Sequence, residues 1–194
     1  MRNDNQTPDL FGDNAFPQGF RYTSDFLSRE EEQSLLQPIR LLPFREFEFH
    51  GFTGKRRIVS LGWRYDFCGA RLTKAEDMPD FLSQLCARAE GFAAVVPGSL
   101  QQVLITEYSE GAAIGWHRDR SVFGDVVGTP LLSPCTFWLS WKAGQRWERR
   151  NLIAEPRSIY LLRGPARTEW KHSIPGVEPL RYSITFRNVR ERAA

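Results

Sequence analysis

From Gln101 to Val189 the chain is divided into short apolar-polar runs, at 103–108, 122–127, 136–141, 146–153, 158–162, 169–174 and 180–189, separated by glycine and proline turns. Runs of this length with such boundaries read as strands. Upstream, Ser28 followed by Glu31 is a capping-box signature that opens a helix through about residue 37, where Pro38 argues against continuation. Between Pro79 and Val95, Phe81, Leu82, Leu85, Cys86, Ala89, Phe92 and Ala93 recur at helical spacing. Two helices followed by seven or so short strands predict an α+β fold, a double-sheet jelly roll with its N-terminal helices packed outside.

The last run carries chemistry as well as structure. In Leu180-Arg181-Tyr182-Ser183-Ile184-Thr185-Phe186-Arg187, alternation puts Arg181, Ser183, Thr185 and Arg187 on one face and Tyr182, Ile184 and Phe186 on the other. Two guanidiniums buried on one strand face need anionic partners, because an unpaired buried charge costs several kcal/mol. A small dicarboxylate suits arginine's planar fork. The alternative is an edge strand whose polar face looks at water.

A second cluster lies in Ile114-Gly115-Trp116-His117-Arg118-Asp119. On an extended strand His117 and Asp119 point to the same side and can grip one ion. Two histidines and one carboxylate form the face used by iron(II) that must also bind oxygen and a substrate. The chain has three histidines. His172, in Trp170-Lys171-His172-Ser173-Ile174-Pro175, is the expected third ligand, and His50 reads as a surface or packing residue.

Together these residues resemble the AlkB family of 2-oxoglutarate and iron(II)-dependent dioxygenases. The resemblance rests on His117-x-Asp119, the distant His172, and Arg181 with Arg187 in an Arg-Tyr-Ser-Ile-Thr-Phe-Arg strand, with Glu107-Tyr108 and Gly111 at matching distances upstream. It covers the second half of the chain well and the first half loosely. It implies iron(II) on His117, Asp119 and His172, with 2-oxoglutarate and O2 as cosubstrates. Arg181 would meet the distal carboxylate, helped by Tyr108 and Ser183, and Arg187 would sit by the metal-proximal one. It also implies a nucleotide-covering region at about 44–70, within which Trp63 and Tyr65 are candidate base or backbone contacts and Arg56, Arg57 and Arg64 candidate phosphate contacts. An ordinary strand with core aromatics and solvated charges is the alternative there. Thr106 and Ser183 stand where the family commonly has asparagine, and Ser121 where some members have a base-contacting acid, so base preference is not transferred.

At 194 residues, 41% hydrophobic and 25% charged, the chain suits one domain over 17–194, with a jelly-roll core at about 101–190, after a polar, flexible segment at 1–16. Its net charge of +3 permits a nucleic-acid partner without requiring one. Cys68, Cys86 and Cys135 have no close spacing, which points away from a disulfide framework and toward a reducing cytoplasm. No signal peptide or bilayer-spanning run is read. Gln6-Thr7-Pro8-Asp9-Leu10-Phe11 loosely resembles peptides that dock on a sliding clamp, with a tether for the terminus as the other reading. The expected activity is oxidative demethylation of N-alkylated bases in DNA or RNA, single-stranded or with the target base flipped out. Alternatives are the same iron chemistry on a protein or small molecule, or a non-catalytic nucleic-acid-binding jelly roll.

Overall fold

A computed structural model describes residues 16–49, 52–66 and 69–190. The terminal segment with Gln6–Phe11, together with His50 and Cys68, lies outside the described residues.

The chain enters through β1 (Phe20–Thr23) and turns into α1 (Arg29–Ile39). Ser28 Oγ accepts from the Glu31 amide while Glu31 Oε2 accepts from the Ser28 amide, which satisfies two donors at the helix start. The helix runs through Pro38 instead of stopping before it. So near the C-terminus, the missing proline N–H costs only one hydrogen bond of the last turn. Next come β2 (Arg45–Phe49), β3 (Phe52–Leu61), β4 (Trp63–Asp66) and β5 (Arg71–Lys74), then a 3-10 turn at Asp80–Leu82 leading into α2 (Ser83–Ala93). Phe49 of β2 pairs with Phe52 of β3.

The second half supplies β6 (Gln102–Tyr108), β7 (Ile114–His117), β8 (Phe123–Leu131), β9 (Cys135–Ala143), β10 (Arg146–Ala154), β11 (Ile159–Leu162), the short α3 (Gly164–Thr168), β12 (Lys171–Ile174) and β13 (Arg181–Val189). All seven expected strands are present, and β7 makes an eighth. A seven-stranded sheet in the order β1-β11-β8-β13-β6-β3-β2 faces a four-stranded sheet in the order β10-β9-β12-β7. Every pairing is antiparallel. This is the expected jelly roll, with β1 as an added edge strand whose Phe20 and Tyr22 pack inward.

Two apolar layers hold it together. Leu35, Leu36 and Ile39 of α1 and Leu85, Ala89 and Ala93 of α2 cover the outer face of the large sheet against Ile105, Val127, Ile184 and Phe186. Between the sheets, Phe137, Leu139, Tyr160, Leu162 and Trp170 form a second layer. Glu32 ties helix to barrel: one carboxylate oxygen accepts from the Leu132 amide at 2.8 Å, and the other pairs with Arg157 at 3.2 Å. Gly128 on β8 marks where the inner layer is tightest, since a Cβ there would fall 2.1 Å from the Tyr160 ring. No described helix is long and apolar enough to cross a membrane.

Candidate active site

The apolar layer fills only part of the space between the sheets. The remainder is a cavity of about 530 Å³, walled by inward-facing residues of β3, β6 and β13 on one side and by β7, β12 and the segment after His117 on the other. β13 lies between β8 and β6, so its polar face cannot be the solvated face of an edge strand. Ser183, Thr185 and Arg187 line the cavity, while Tyr182, Ile184 and Phe186 point to the helices.

His172 and His117 are direct cross-strand partners on β12 and β7, which brings their rings to 4.1 Å between centroids. Phe137 stacks on His172 at 5.5 Å and fixes its plane. His117 Nδ1–H donates to the Gly115 carbonyl at 2.9 Å, which leaves Nε2 free as a ligand atom. Asp119 follows the strand and turns inward, with Oδ2 3.6 Å from His172 Nε2 and Oδ1 2.6 Å from an Arg187 amine. The donor atoms of all three residues lie within 4.8 Å of one another.

The electrostatics suit a cation. Burial and the adjacent His117 push the His172 imidazole down to about 3, so it is neutral and ready to ligate. Burial likewise lowers His117. Burial alone would raise the Asp119 carboxyl, but Arg187, then the two imidazoles and Arg167, outweigh it and hold the group below the usual carboxylate range. Asp119 Oδ2 is buried and has no hydrogen-bond partner. An orphaned carboxylate oxygen between two neutral imidazoles is what a divalent metal with nitrogen and oxygen ligands fits.

Arg187 pairs with Asp119 and donates to Gln102 Oε1 at 2.9 Å. Arg181, six residues along the same strand and roughly 20 Å away in Cα position, is 1% exposed, with its guanidinium 4.7 Å from the centroid of the Tyr108 ring. No ion pair reaches it among the described residues, and its Nε and one terminal nitrogen are unpartnered. Tyr108 and Ser183 line the cavity beside it. The two arginines therefore differ: Arg187 lines the cavity and pairs with the triad carboxylate, whereas Arg181 is buried behind Tyr108, outside the set of cavity-lining residues, with no ion pair among the described residues.

The region at 44–70 divides by strand parity. Arg56 lies in the cavity wall, flat over Phe47 at 3.9 Å, and Arg64 and Tyr65 line the cavity from the β4–β5 hairpin. Arg57 faces the opposite side of β3 from the cavity and pairs with Glu107 at 2.6 Å. Trp63 is not among the cavity-lining residues and packs near Lys74. Sequence reasoning missed Arg120, which lies over the Tyr65 ring at 5.2 Å, and Trp116, which lines the cavity yet is 43% exposed. Both stand beside the His-x-Asp motif, a position that could have flagged them.

Arg167 of α3 is a further omission, with no sequence signal to find it. It is 5% exposed and donates to the carbonyls of Arg120, Phe123 and Gly124 at 2.7–3.0 Å. Arg118 reaches back to the Thr168 and Glu169 carbonyls, both at 3.3 Å. The two staples fix the turn that carries Asp119. Arg167→Met should therefore weaken iron(II) affinity by about tenfold, read by metal titration, while leaving the histidine pair in place.

A jelly roll that presents two histidines and an acid on one wall and a buried arginine at the end of a strand defines an iron(II) oxygenase with an organic diacid as cosubstrate. Residues 19–187 match the family model described as the 2OG-Fe(II) oxygenase superfamily, and the chain belongs to that superfamily. Two of the proteins it is similar to carry AlkB-type names. The "Alkylated DNA repair protein ALKBH8 homolog" of Arabidopsis thaliana is 30% identical over 179 residues, which cover 78% of this chain and 49% of that protein, so the chain spans about half its length. "Uncharacterized protein L905" of Acanthamoeba polyphaga mimivirus is 24% identical, covering 88% of this chain and 85% of that one. Among solved structures, "The structure of OsALKBH1" superposes with a TM-score of 0.69 at 15% identity, covering 90% and 98% of the two chains. A Pseudomonas putida prolyl-4-hydroxylase superposes with 0.62 at 12% identity, covering 89% and 94%. Iron(II) and 2-oxoglutarate are thus the cofactor and cosubstrate of the class, and the residues present fit both.

Proposed function

We propose that this oxygenase removes N-linked alkyl groups from the bases of DNA or RNA. The observation that carries the reading is the cavity wall around the metal triad: Tyr65 and Trp116 offer flat apolar faces, and Arg56, Arg64 and Arg120 stand among them. Rings that stack on a base and guanidiniums that meet phosphate are the composition a flipped nucleotide requires. The name of the Arabidopsis relative points the same way.

When bound, iron(II) with 2-oxoglutarate and O2 supplies an oxidant that inserts one oxygen atom into a nearby C–H bond; the other oxygen enters succinate as CO2 is lost. The protein's part is to orient and exclude. Arg181 neutralises the distal carboxylate of the diacid with Tyr108 and Ser183 beside it, and Arg187 keeps Asp119 ionised and aimed. The rings at the mouth hold the base edge toward the triad. A hydroxymethyl group on nitrogen then breaks its C–N bond, returning the proton to nitrogen and releasing formaldehyde.

Incubation with iron(II), 2-oxoglutarate, O2 and methylated oligonucleotides tests this. The expected result is formaldehyde and succinate formed together, with unmethylated base in the product. Succinate without formaldehyde would assign the same chemistry to another substrate class, such as a protein side chain. Neither product, from protein with its iron bound, would leave a nucleic-acid-binding jelly roll without turnover.

A further inference from the structure

The large sheet is covered by α1 and α2, but the outward face of the small sheet carries an unusual set of side chains. Strand alternation places Trp138 and Lys142 of β9, Trp147 and Arg149 of β10 and Lys171 of β12 on that face, opposite to Phe137, Leu139 and His172. Trp147 is 54% exposed, a large apolar surface left in water where a charged residue would cost nothing. No acidic residue occupies this face of β9, β10 or β12; Glu148 points the other way, in register with Trp141. Among the described residues, Lys142, Arg149 and Lys171 have no ion-pair partner. Lys142 lies 5.9 Å from the Trp147 ring, which places a cation beside an aromatic plane.

This face is continuous with the active site. A groove of about 340 Å³ runs between Trp138, Arg149, Ser173 and Trp116, and Trp116 is also part of the wall of the metal cavity. One tryptophan thus belongs to both. Rows of side chains on the sheet repeat at roughly 6.8 Å along each strand, so the surface from Trp147 to Trp116 extends over roughly 20 Å. Aromatic planes with interspersed, unpaired cations and no acids match an unpaired polynucleotide, whose bases stack on any ring and whose phosphates need the cations. An acidic peptide would use the cations and leave three tryptophans unexplained.

We infer that the outer face of the small sheet is a track for the single strand flanking the target nucleotide, which passes over Trp147 and Trp138 and reaches the iron cavity at Trp116. The inference rests on the nucleobase reading for the identity of the strand, and it adds where the strand lies outside the pocket.

Fluorescence anisotropy with an unmodified 15-nucleotide oligothymidylate, a trinucleotide and polyglutamate tests it on the full chain. The wild type should bind the 15-mer well above the trinucleotide and ignore polyglutamate. The double variant Lys142→Glu, Arg149→Glu should lose at least about tenfold, and its salt dependence should flatten by about 1.4, two phosphate contacts at ~0.7 each. Trp147→Ala should lose roughly tenfold through lost stacking, and Trp147→Phe should restore most of it. Turnover of a methylated nucleoside should be the same in all four proteins. Equal affinity of the double variant and wild type, no preference for the longer oligonucleotide, or equal binding of polyglutamate would overturn the track. A track that behaves as described in a protein that demethylates no base would overturn the proposed reaction and leave the surface standing.

Discussion

His172→Ala is expected to bring 2-oxoglutarate turnover to background, a loss of about a thousandfold or more, equivalent to about 4 kcal/mol. The reason is geometric. His172 is buried between Phe137 and His117, its ring is neutral, and it stands opposite His117 across β12 and β7. Removing it leaves His117 and Asp119 as a two-point site, which cannot hold iron(II) in the facial arrangement that keeps positions open for cosubstrate and O2. Iron content measured after anaerobic loading should fall well below one per chain, and oligonucleotide affinity should stay near that of the wild type, because His172 lies in the wall of the cavity and the track is on the other face of the sheet. Full iron occupancy in the variant would remove His172 from the ligand set.

The second large effect concerns Arg181 and has opposite signs in two measurements. Its guanidinium is buried without an acidic partner, which is costly in the free protein. Arg181→Met replaces the charge with an apolar chain of similar length, so the cosubstrate-free variant should be more stable, by roughly 1–4 kcal/mol. The same change should raise the 2-oxoglutarate concentration needed for half-maximal turnover by about a hundredfold, ~3 kcal/mol, with kcat at saturation much less affected, as for a contact made equally in ground and transition states. Thermal unfolding separates the two: added 2-oxoglutarate should raise the wild-type midpoint and leave the Met variant nearly unmoved. A variant that is less stable and keeps its cosubstrate affinity would make Arg181 a structural residue.

The parts legible from the sequence are those where one strand face is forced. Alternation in 180–187 separated Arg181, Ser183 and Arg187 from Tyr182, Ile184 and Phe186, and the structure keeps that division. His172 was legible because the chain has few histidines. Alternation alone does not divide 55–67, where cations and aromatics are mixed on both parities. The strand there is interrupted by an irregularity opposite Glu46 and Phe47 and by the turn at Gly62, whose φ of +73° resets which face is which. Arg56 thus points into the cavity and Arg57 out toward Glu107, a distinction that no period-two pattern decides without the pairing register. Arg167 was invisible for another reason. Its role lies in three backbone carbonyls of a distant turn, and backbone acceptors leave no mark in the sequence. The pairing of Arg187 with Asp119 was missed because the resemblance directed attention to the cosubstrate, while the nearest anion belongs to the metal site itself.

His117, Asp119 and His172 are expected to bind one iron(II), and Arg181 a diacid beside it. Anaerobic calorimetric titration of the wild-type protein, with iron(II) first and 2-oxoglutarate second, measures both events. One iron per chain, followed by one 2-oxoglutarate whose affinity rises sharply once the metal is in place and falls in Arg181→Met, is the predicted result. Cosubstrate binding of equal strength with and without iron, or unaltered in Arg181→Met, would contradict it.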